Sequence, residues 1–281
     1  MRLLATLCLL IFSSSLHAGQ LSVFVSVPPL HYLVEMVGGD GVVVESMVSP
    51  GHNPVNYDPA PQQLQRFADA DVYIRSGIPF ELAWMPRLEE LNPGMLIVDV
   101  RSNLPVSSDD GHQQGGDVHH LDPHVWTSPL NAIAISRRIL NALAAVAPRQ
   151  QEQFRRNQQQ LEQQLMALHQ SIIEALKPHT GATFLVFHPA WGYFAKSYGL
   201  RQMAIEIEGK EPGPKQLAGV IEAARRQQVG FLLVQEQFSG NMAKTVSAEL
   251  GVELIRTNPL AYDLVGSLQQ VAAAIAGSRH E

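Results

Sequence analysis

The chain has 281 residues, 46% of them hydrophobic and 16% charged, with a formal net charge of −6. These proportions belong to a folded protein with room for two modest domains, and they exclude a disordered chain. No basic stretch offers a nucleic acid its footprint. Residues 1–18 stand apart. Arg2, the apolar run from Leu3 to Phe12 and the exit Ser13-Ser14-Ser15-Leu16-His17-Ala18 read as a cleavable signal peptide. Cys8, the only cysteine, is followed by Leu9, Leu10 and Ile11, so it is not placed like a lipid-anchored cysteine. The mature chain is then expected in a bacterial periplasm, without thiol or disulfide.

From Leu21 to Val27 the sequence alternates and is rich in β-branched residues, a strand. Pro28-Pro29 break it, and a helix over Leu30–Val37 stops at Gly38-Gly39. A second strand, Val42–Val48, leads into the stiff loop Ser49-Pro50-Gly51-His52-Asn53-Pro54-Val55-Asn56-Tyr57-Asp58-Pro59. Then come a short helix from Pro61, a strand over Asp71–Arg75, a helix over Phe80–Leu91 and a strand over Leu96–Val100. This alternation argues a parallel sheet with crossover helices. Residues 101–120 carry no period, and His112, His119 and His120 lie there among acidic neighbours, as a weak metal-capturing arm or a solvated linker. A helix opens near Pro129.

Between Pro148 and Lys177, apolar residues recur at Phe154, Leu161, Leu165, Leu168, Ile172 and Leu176, the period of one helical face. Strands and helices then alternate again: Phe184–Phe187, Ala190–Tyr198, Met203–Ile207, Pro214–Gln227, Phe231–Val234, Met242–Leu250, Val252–Ile255 and Tyr262–Ala276. The fold class expected is α/β, two lobes with parallel sheets bridged by one long rigid helix. The divisions are 1–18 signal peptide, 19–147 N-terminal lobe, 148–177 linker helix and 178–281 C-terminal lobe.

Three histidines follow strand ends or sit in the loops beyond them: His52, His124 and His188. Ligands of open parallel sheets bind outside the carboxyl ends of strands, and neutral imidazole is a favoured zinc ligand. A metal site in the interlobe cleft is therefore expected from His52, His124 and His188. Signatures of common enzymes are missing: there is no Gly-x-Ser-x-Gly elbow, no phosphate-cradling glycine loop and no His-Glu-x-x-His pair. Capture rather than catalysis is expected.

The motifs Asp122-Pro123-His124-Val125-Trp126 with Ser128-Pro129, and His188 leading into Gly192-Tyr193-Phe194-Ala195 and Tyr198-Gly199-Leu200, resemble the zinc- and manganese-binding solute-binding proteins of bacterial ABC importers. Glu211-Pro212 and Gln237-Phe238-Ser239 add lesser matches. The resemblance spans nearly the whole mature chain. It implies one metal in the cleft, His124 and His188 as ligands, and a membrane permease partner driven by a cytoplasmic ATPase; the protein itself is expected to be a monomer. Zn²⁺ is preferred to Mn²⁺, because imidazoles suit zinc and manganese prefers oxygen. Two positions depart from the pattern. Where the family carries Pro-His-x-Tyr, this chain has Pro54-Val55-Asn56-Tyr57, and Val55 cannot bind metal; His52, three residues earlier, is the candidate replacement. Where the family often supplies a late aspartate, this chain has Asn258, leaving Glu208 or water for the fourth position. The rival readings are a diverged relative acting as a metal chaperone or binding another solute, and a periplasmic metallohydrolase with Glu208 as base.

Overall fold

Two parallel sheets with the same strand order carry the structure. A computed structural model describes residues 19–102, 104, 122–207, 209–238 and 240–277. The expected signal peptide, His112, His119, His120 and Glu208 lie outside the described residues. In the first lobe β1 (Leu21–Val25) pairs with β2 (Val42–Ser46) and β3 (Val72–Arg75), and β3 pairs with β4 (Leu96–Asp99), giving the order β2-β1-β3-β4. In the second, β5 (Thr183–Val186) pairs with β6 (Arg201–Ala204) and β7 (Phe231–Gln235), and β7 pairs with β8 (Glu253–Thr257), giving β6-β5-β7-β8. Every pairing is parallel, as the crossover helices require.

Those helices are α1 (Pro28–Gly38), α2 (Pro61–Ala68) and α3 (Pro79–Leu91) in the first lobe, with α4 (Pro129–Val146) after the loop. The second lobe has α6 (Gly192–Ser197), α7 (Pro214–Arg226), α8 (Asn241–Leu250) and α9 (Leu264–Gly277). Proline opens α1, α2, α3, α4 and α7. There its missing N–H removes no intrahelical bond and its fixed φ already suits the helix. Pro28-Pro29 are thus the first turn of α1 and not a break ahead of it, which corrects the expected start at Leu30.

The long helix α5 (Gln151–Leu176) links the lobes. At 1.5 Å per residue its length is about 39 Å. Short 3₁₀ turns at Pro148–Gln150 and Lys177–His179 bound it. Phe154, Leu161, Leu165, Leu168, Ile172 and Leu176 are all buried, so the sequence period marks the face that packs. Each such side chain contributes roughly 1.5–3 kcal/mol relative to exposure. That face meets α1 and α4 of the first lobe and α9 from the end of the second. One continuous core therefore runs from the first sheet through α5 to Trp191, Phe194 and α9. Along β7 the side chains alternate: Phe231 and Leu233 join this core, while Leu232 and Val234 join a second cluster with Val246 of α8. That is the two-residue period of a strand buried on both faces. His169 lies on the buried face of α5, its Nδ1 3.1 Å from the Tyr198 hydroxyl. Burial lowers its pKa, so it serves as a neutral packing residue.

Candidate metal site

The carboxyl ends of β5, β6 and β7 supply one wall of the site. His188 lies two residues beyond β5. Its backbone is held by the side chain of Gln235, the last residue of β7: Gln235 Oε1 accepts the His188 N–H at 3.2 Å and Nε2 donates to the His188 carbonyl at 2.6 Å. Glu206 follows β6, and its N–H donates to the Phe187 carbonyl at 3.0 Å, continuing the sheet past the strand end. This brings the Glu206 carboxylate 2.6 Å from His188 Nδ1. Phe238 stacks on the His188 ring at 5.5 Å.

The other wall comes from Asp122-Pro123-His124. The short aspartate side chain folds back over the proline, a turn that Asp favours. Asp122 Oδ1 accepts both the His124 N–H at 2.9 Å and the ring Nδ1–H at 2.7 Å. A 3₁₀ turn, Val125–Thr127, follows and buries Trp126, whose ring edge meets His124 at 5.6 Å. Trp126 Nε1–H donates to the Pro259 carbonyl at 2.7 Å, and the Tyr193 hydroxyl donates to the Asp122 carbonyl at 3.2 Å. Both bonds cross between the lobes, so the wall carrying His124 is fixed against the second lobe.

The two rings meet edge to face with centroids 5.3 Å apart. The side chains of Asp122 and Glu206 are 1% and 4% exposed, those of His124 and His188 14% and 22%. The carboxylates are therefore the buried members and the imidazoles the accessible ones. A carboxylate accepting at Nδ1 keeps the proton there, orients the ring and leaves Nε2 as the lone-pair donor. Two imidazoles sharing one tetrahedral zinc, with Zn–N bonds of about 2.0–2.1 Å, place their centroids about 5 Å apart. The observed spacing fits that pair. Oδ2 of Asp122 is buried without a hydrogen-bond partner among the described residues. Among those residues no group of three His, Cys, Asp or Glu side chains is placed to hold a metal together.

His124 and His188 line one cavity of about 550 Å³, and Val55 lines it too. His52 does not. It lines a separate hollow with Ser49, Asn56 and Asp58, its ring set edgewise on Tyr57 at 5.9 Å. Tyr57 fixes that arrangement: it packs on Phe80 at 5.7 Å and donates to Gln63 Oε1 at 2.7 Å, while Gln63 Nε2 donates to the Ser46 and Met47 carbonyls. The structure thus brings two of the three expected histidines together and leaves His52 behind a pinned tyrosine. The Asn258 side chain is engaged locally, accepting from Gln237 Nε2 at 3.0 Å and the Leu260 N–H at 2.9 Å. Glu206 is a site residue to which the sequence motifs did not point, while Glu208, the candidate fourth ligand, lies outside the described residues. The signal was positional: Glu206 follows β6 as His188 follows β5, on neighbouring strands.

Residues 23–276 match the family described as ZnuA, zinc-uptake complex component A, periplasmic. The zinc-binding lipoprotein AdcA of Streptococcus pneumoniae is 30% identical over 273 residues, 92% of this chain and 54% of that protein. This chain spans about half the length of such curated relatives. A putative metal-binding protein of Chlamydia muridarum is 28% identical over 92% of this chain and 91% of its own length. The crystal structure of ZnuA superposes with a TM-score of 0.85 at 32% identity, covering 92% of this chain and 99% of that one. With the family match running from β1 into α9, the chain belongs to the ZnuA family of zinc-uptake solute-binding proteins.

Proposed function

We propose that this protein is a periplasmic zinc receptor, which captures Zn²⁺ between His124 and His188 and delivers it to the permease of an ABC importer. The observation that carries the reading is the facing imidazole pair, each ring held at Nδ1 by a buried carboxylate. Zinc-binding names among the relatives, including a Zn(II)-bound AdcA structure at 25% identity, support the choice of metal. So does donor chemistry, since the two accessible donors among the described residues are nitrogen and zinc accepts nitrogen where manganese prefers oxygen. Asp122 and Glu206 raise the basicity of the rings and offset the charge of a divalent ion. Nothing in this scheme needs a bond broken, and the protein acts by binding and release.

The test is zinc titration of the chelator-stripped mature protein by calorimetry, with metal content measured before and after. One equivalent should bind and raise the melting temperature, since a ligand at 100 times its Kd adds about 2.7 kcal/mol of stability. No heat and no thermal shift with zinc would overturn the reading.

A further inference from the structure

The cavity is too large for the ion it faces. A zinc ion with two waters fills under about 100 Å³, taking about 30 Å³ per water. The cavity measures about 550 Å³, inside the range of roughly 300–1,000 Å³ typical of small-molecule sites. Its wall beyond the two histidines is largely apolar, with Val55, Ile78, Trp126, Phe238 and Leu260. Such a wall offers nothing to a hydrated ion, and it suits the carbon skeleton of an organic ligand.

The polar groups point the same way. The carboxylates of Asp122 and Glu206 are engaged with the ring Nδ1 atoms. Zinc takes four ligands, so with two imidazoles as the donors among the described residues two positions are open. Lys210 and Asn53 also line the cavity. Asn53 Oδ1 already accepts the Val55 N–H at 2.9 Å, which leaves its amide NH₂ as a donor. An ammonium and an amide donor lining the same cavity as the two imidazoles match a carboxylate, because both groups donate and the lysine is cationic. Resting on the zinc-receptor reading, we propose that the cargo is a chelate: Zn²⁺ carried by a small carboxylate-bearing chelator that fills the two open positions. The chelator's carboxylate meets Lys210 and Asn53, and its carbon skeleton lies on Val55 and Phe238.

The test uses the chelator-stripped full mature chain with four probes: zinc chloride alone, zinc with equimolar L-histidine, zinc with equimolar citrate, and each chelator alone. Calorimetry at matched free zinc gives affinity, and native mass spectrometry gives composition. A 1:1:1 complex is expected, with zinc bound at least about tenfold more tightly when chelator is present, a coupling of about 1.4 kcal/mol. Whether histidine or citrate does this tells amine from hydroxyl donors beside the carboxylate. Lys210→Ala should cut the enhancement about fivefold or more, and Val55→Trp, which fills the cavity, should abolish it. Zinc binding alone with no ternary mass from either chelator overturns the chelate proposal and leaves the receptor reading intact. No zinc bound in any form overturns both. A ternary mass without zinc bound alone upholds the chelate and removes the bare ion as cargo.

Discussion

The two lobes solve the same local problem in opposite ways. Each sheet has its first strand second in order, and each lobe buries a carboxylate close to where that strand ends. In the first lobe it is Glu81, fully buried. It accepts from Ser26 Oγ at 2.6 Å, from the Tyr73 hydroxyl, from the Gly77 N–H at 2.5 Å and from the Ile78 N–H at 3.1 Å. In the second lobe it is Glu206, and its partner is the ring of His188. A carboxylate surrounded by donors of its own lobe is consumed by the fold, where it caps α3 and ties β1 to β3. A carboxylate whose partner is an imidazole facing a cavity acts through that ring on whatever enters. The residue at the end of the strand makes the difference: Ser26 directs its carboxylate inward, and His188 directs its own toward the cleft.

The sharpest break of this comparison is to remove an imidazole. His188→Ala or His124→Ala should lower zinc affinity by at least about a hundredfold, more than the 10–100-fold that loss of an outer partner costs. The apo melting temperature should move little in His124→Ala, where Asp122 keeps the backbone N–H of residue 124, and fall more in His188→Ala, which leaves the buried Glu206 carboxylate without its imidazole partner at about 1–3 kcal/mol. Calorimetric titration alongside thermal melts measures both. Parental zinc binding in either variant would remove that residue from the site.

Glu81→Gln should act on stability and not on zinc. It replaces one accepting oxygen by an NH₂ and faces it toward donors, so one or two buried groups lose partners at about 1–3 kcal/mol each. A loss of about 2–4 kcal/mol in urea unfolding is expected, with zinc affinity unchanged in the folded protein. A pH signature accompanies it. Burial pushes the Glu81 carboxyl up, against the pull of Ser26, Tyr73 and Arg75. The native state then holds this proton more tightly than the unfolded chain. The Glu81 contribution is therefore complete below about pH 4.5, the unfolded value, and declines as pH rises through the folded value. Unfolding curves of the parent and Glu81→Gln across that range should differ in slope, with the flatter dependence in the variant.

Glu206→Gln tests the other half. The amide oxygen can still accept the Nδ1–H, so the ring stays in place and the lost charge is isolated. Zinc affinity should fall about tenfold, the lower end for an outer partner of a ligating histidine. The stability change should be smaller than for Glu81→Gln. If Glu206→Gln instead destabilises the fold as Glu81→Gln does and spares zinc, the two carboxylates are equivalent and the contrast between the lobes collapses.

Much of this was legible in the chain. The packed face of α5 could be listed residue by residue, because six apolar side chains keep helical period among Gln, Glu and Arg. Most strands stood out as short apolar runs, but β6 has the sequence Arg201-Gln202-Met203-Ala204 without a β-branched residue, so the strand expected over Met203–Ile207 begins and ends earlier, at Arg201–Ala204. His124 and His188 stood out in the sequence through their motifs, His188 also through its place just beyond a strand, and the structure sets the two rings face to edge. What stayed hidden depends on contacts distant in sequence. Glu206 reaches His188 through the pairing of β6 with β5, and a strand pairing leaves no local mark. The buried role of Glu81 needs Ser26, 55 residues away. The choice between His52 and Val55 was also closed to spacing, since either lies within reach of the cleft along the chain. In the structure Tyr57, held by Phe80 and Gln63, stands beside the His52 ring, and Val55 is the residue that lines the cavity.

Val55 gives a way to sharpen the contrast by gain. It lines the cavity and is 57% exposed, so a larger polar ring can be accommodated there. Val55→His should tighten zinc binding several-fold, up to about tenfold, by adding an imidazole without removing a donor. No gain would mean that the loop holds position 55 out of reach of the ion.

The smallest effect is expected from His52→Ala. His52 shares loop 49–60 with Val55, yet Tyr57 stands beside its ring and the two residues line different hollows. To reach His124 and His188 the loop would have to lift Tyr57 from Phe80 and break its bond to Gln63. That would forgo an aromatic contact worth about 0.5–1.5 kcal/mol and a hydrogen bond of similar size. A new zinc ligand could outweigh both, so energetics alone permit the rearrangement, and the variant decides it. With the loop as it stands, His52→Ala should change zinc affinity by less than about threefold, under about 0.7 kcal/mol. A loss matching His124→Ala would show that zinc binding refolds the loop and draws His52 in. Tyr57→Phe then separates the two cases. By removing the bond to Gln63 it eases the loop's release, so it should strengthen zinc binding if His52 must swing in and leave it unchanged if His52 stays where it is.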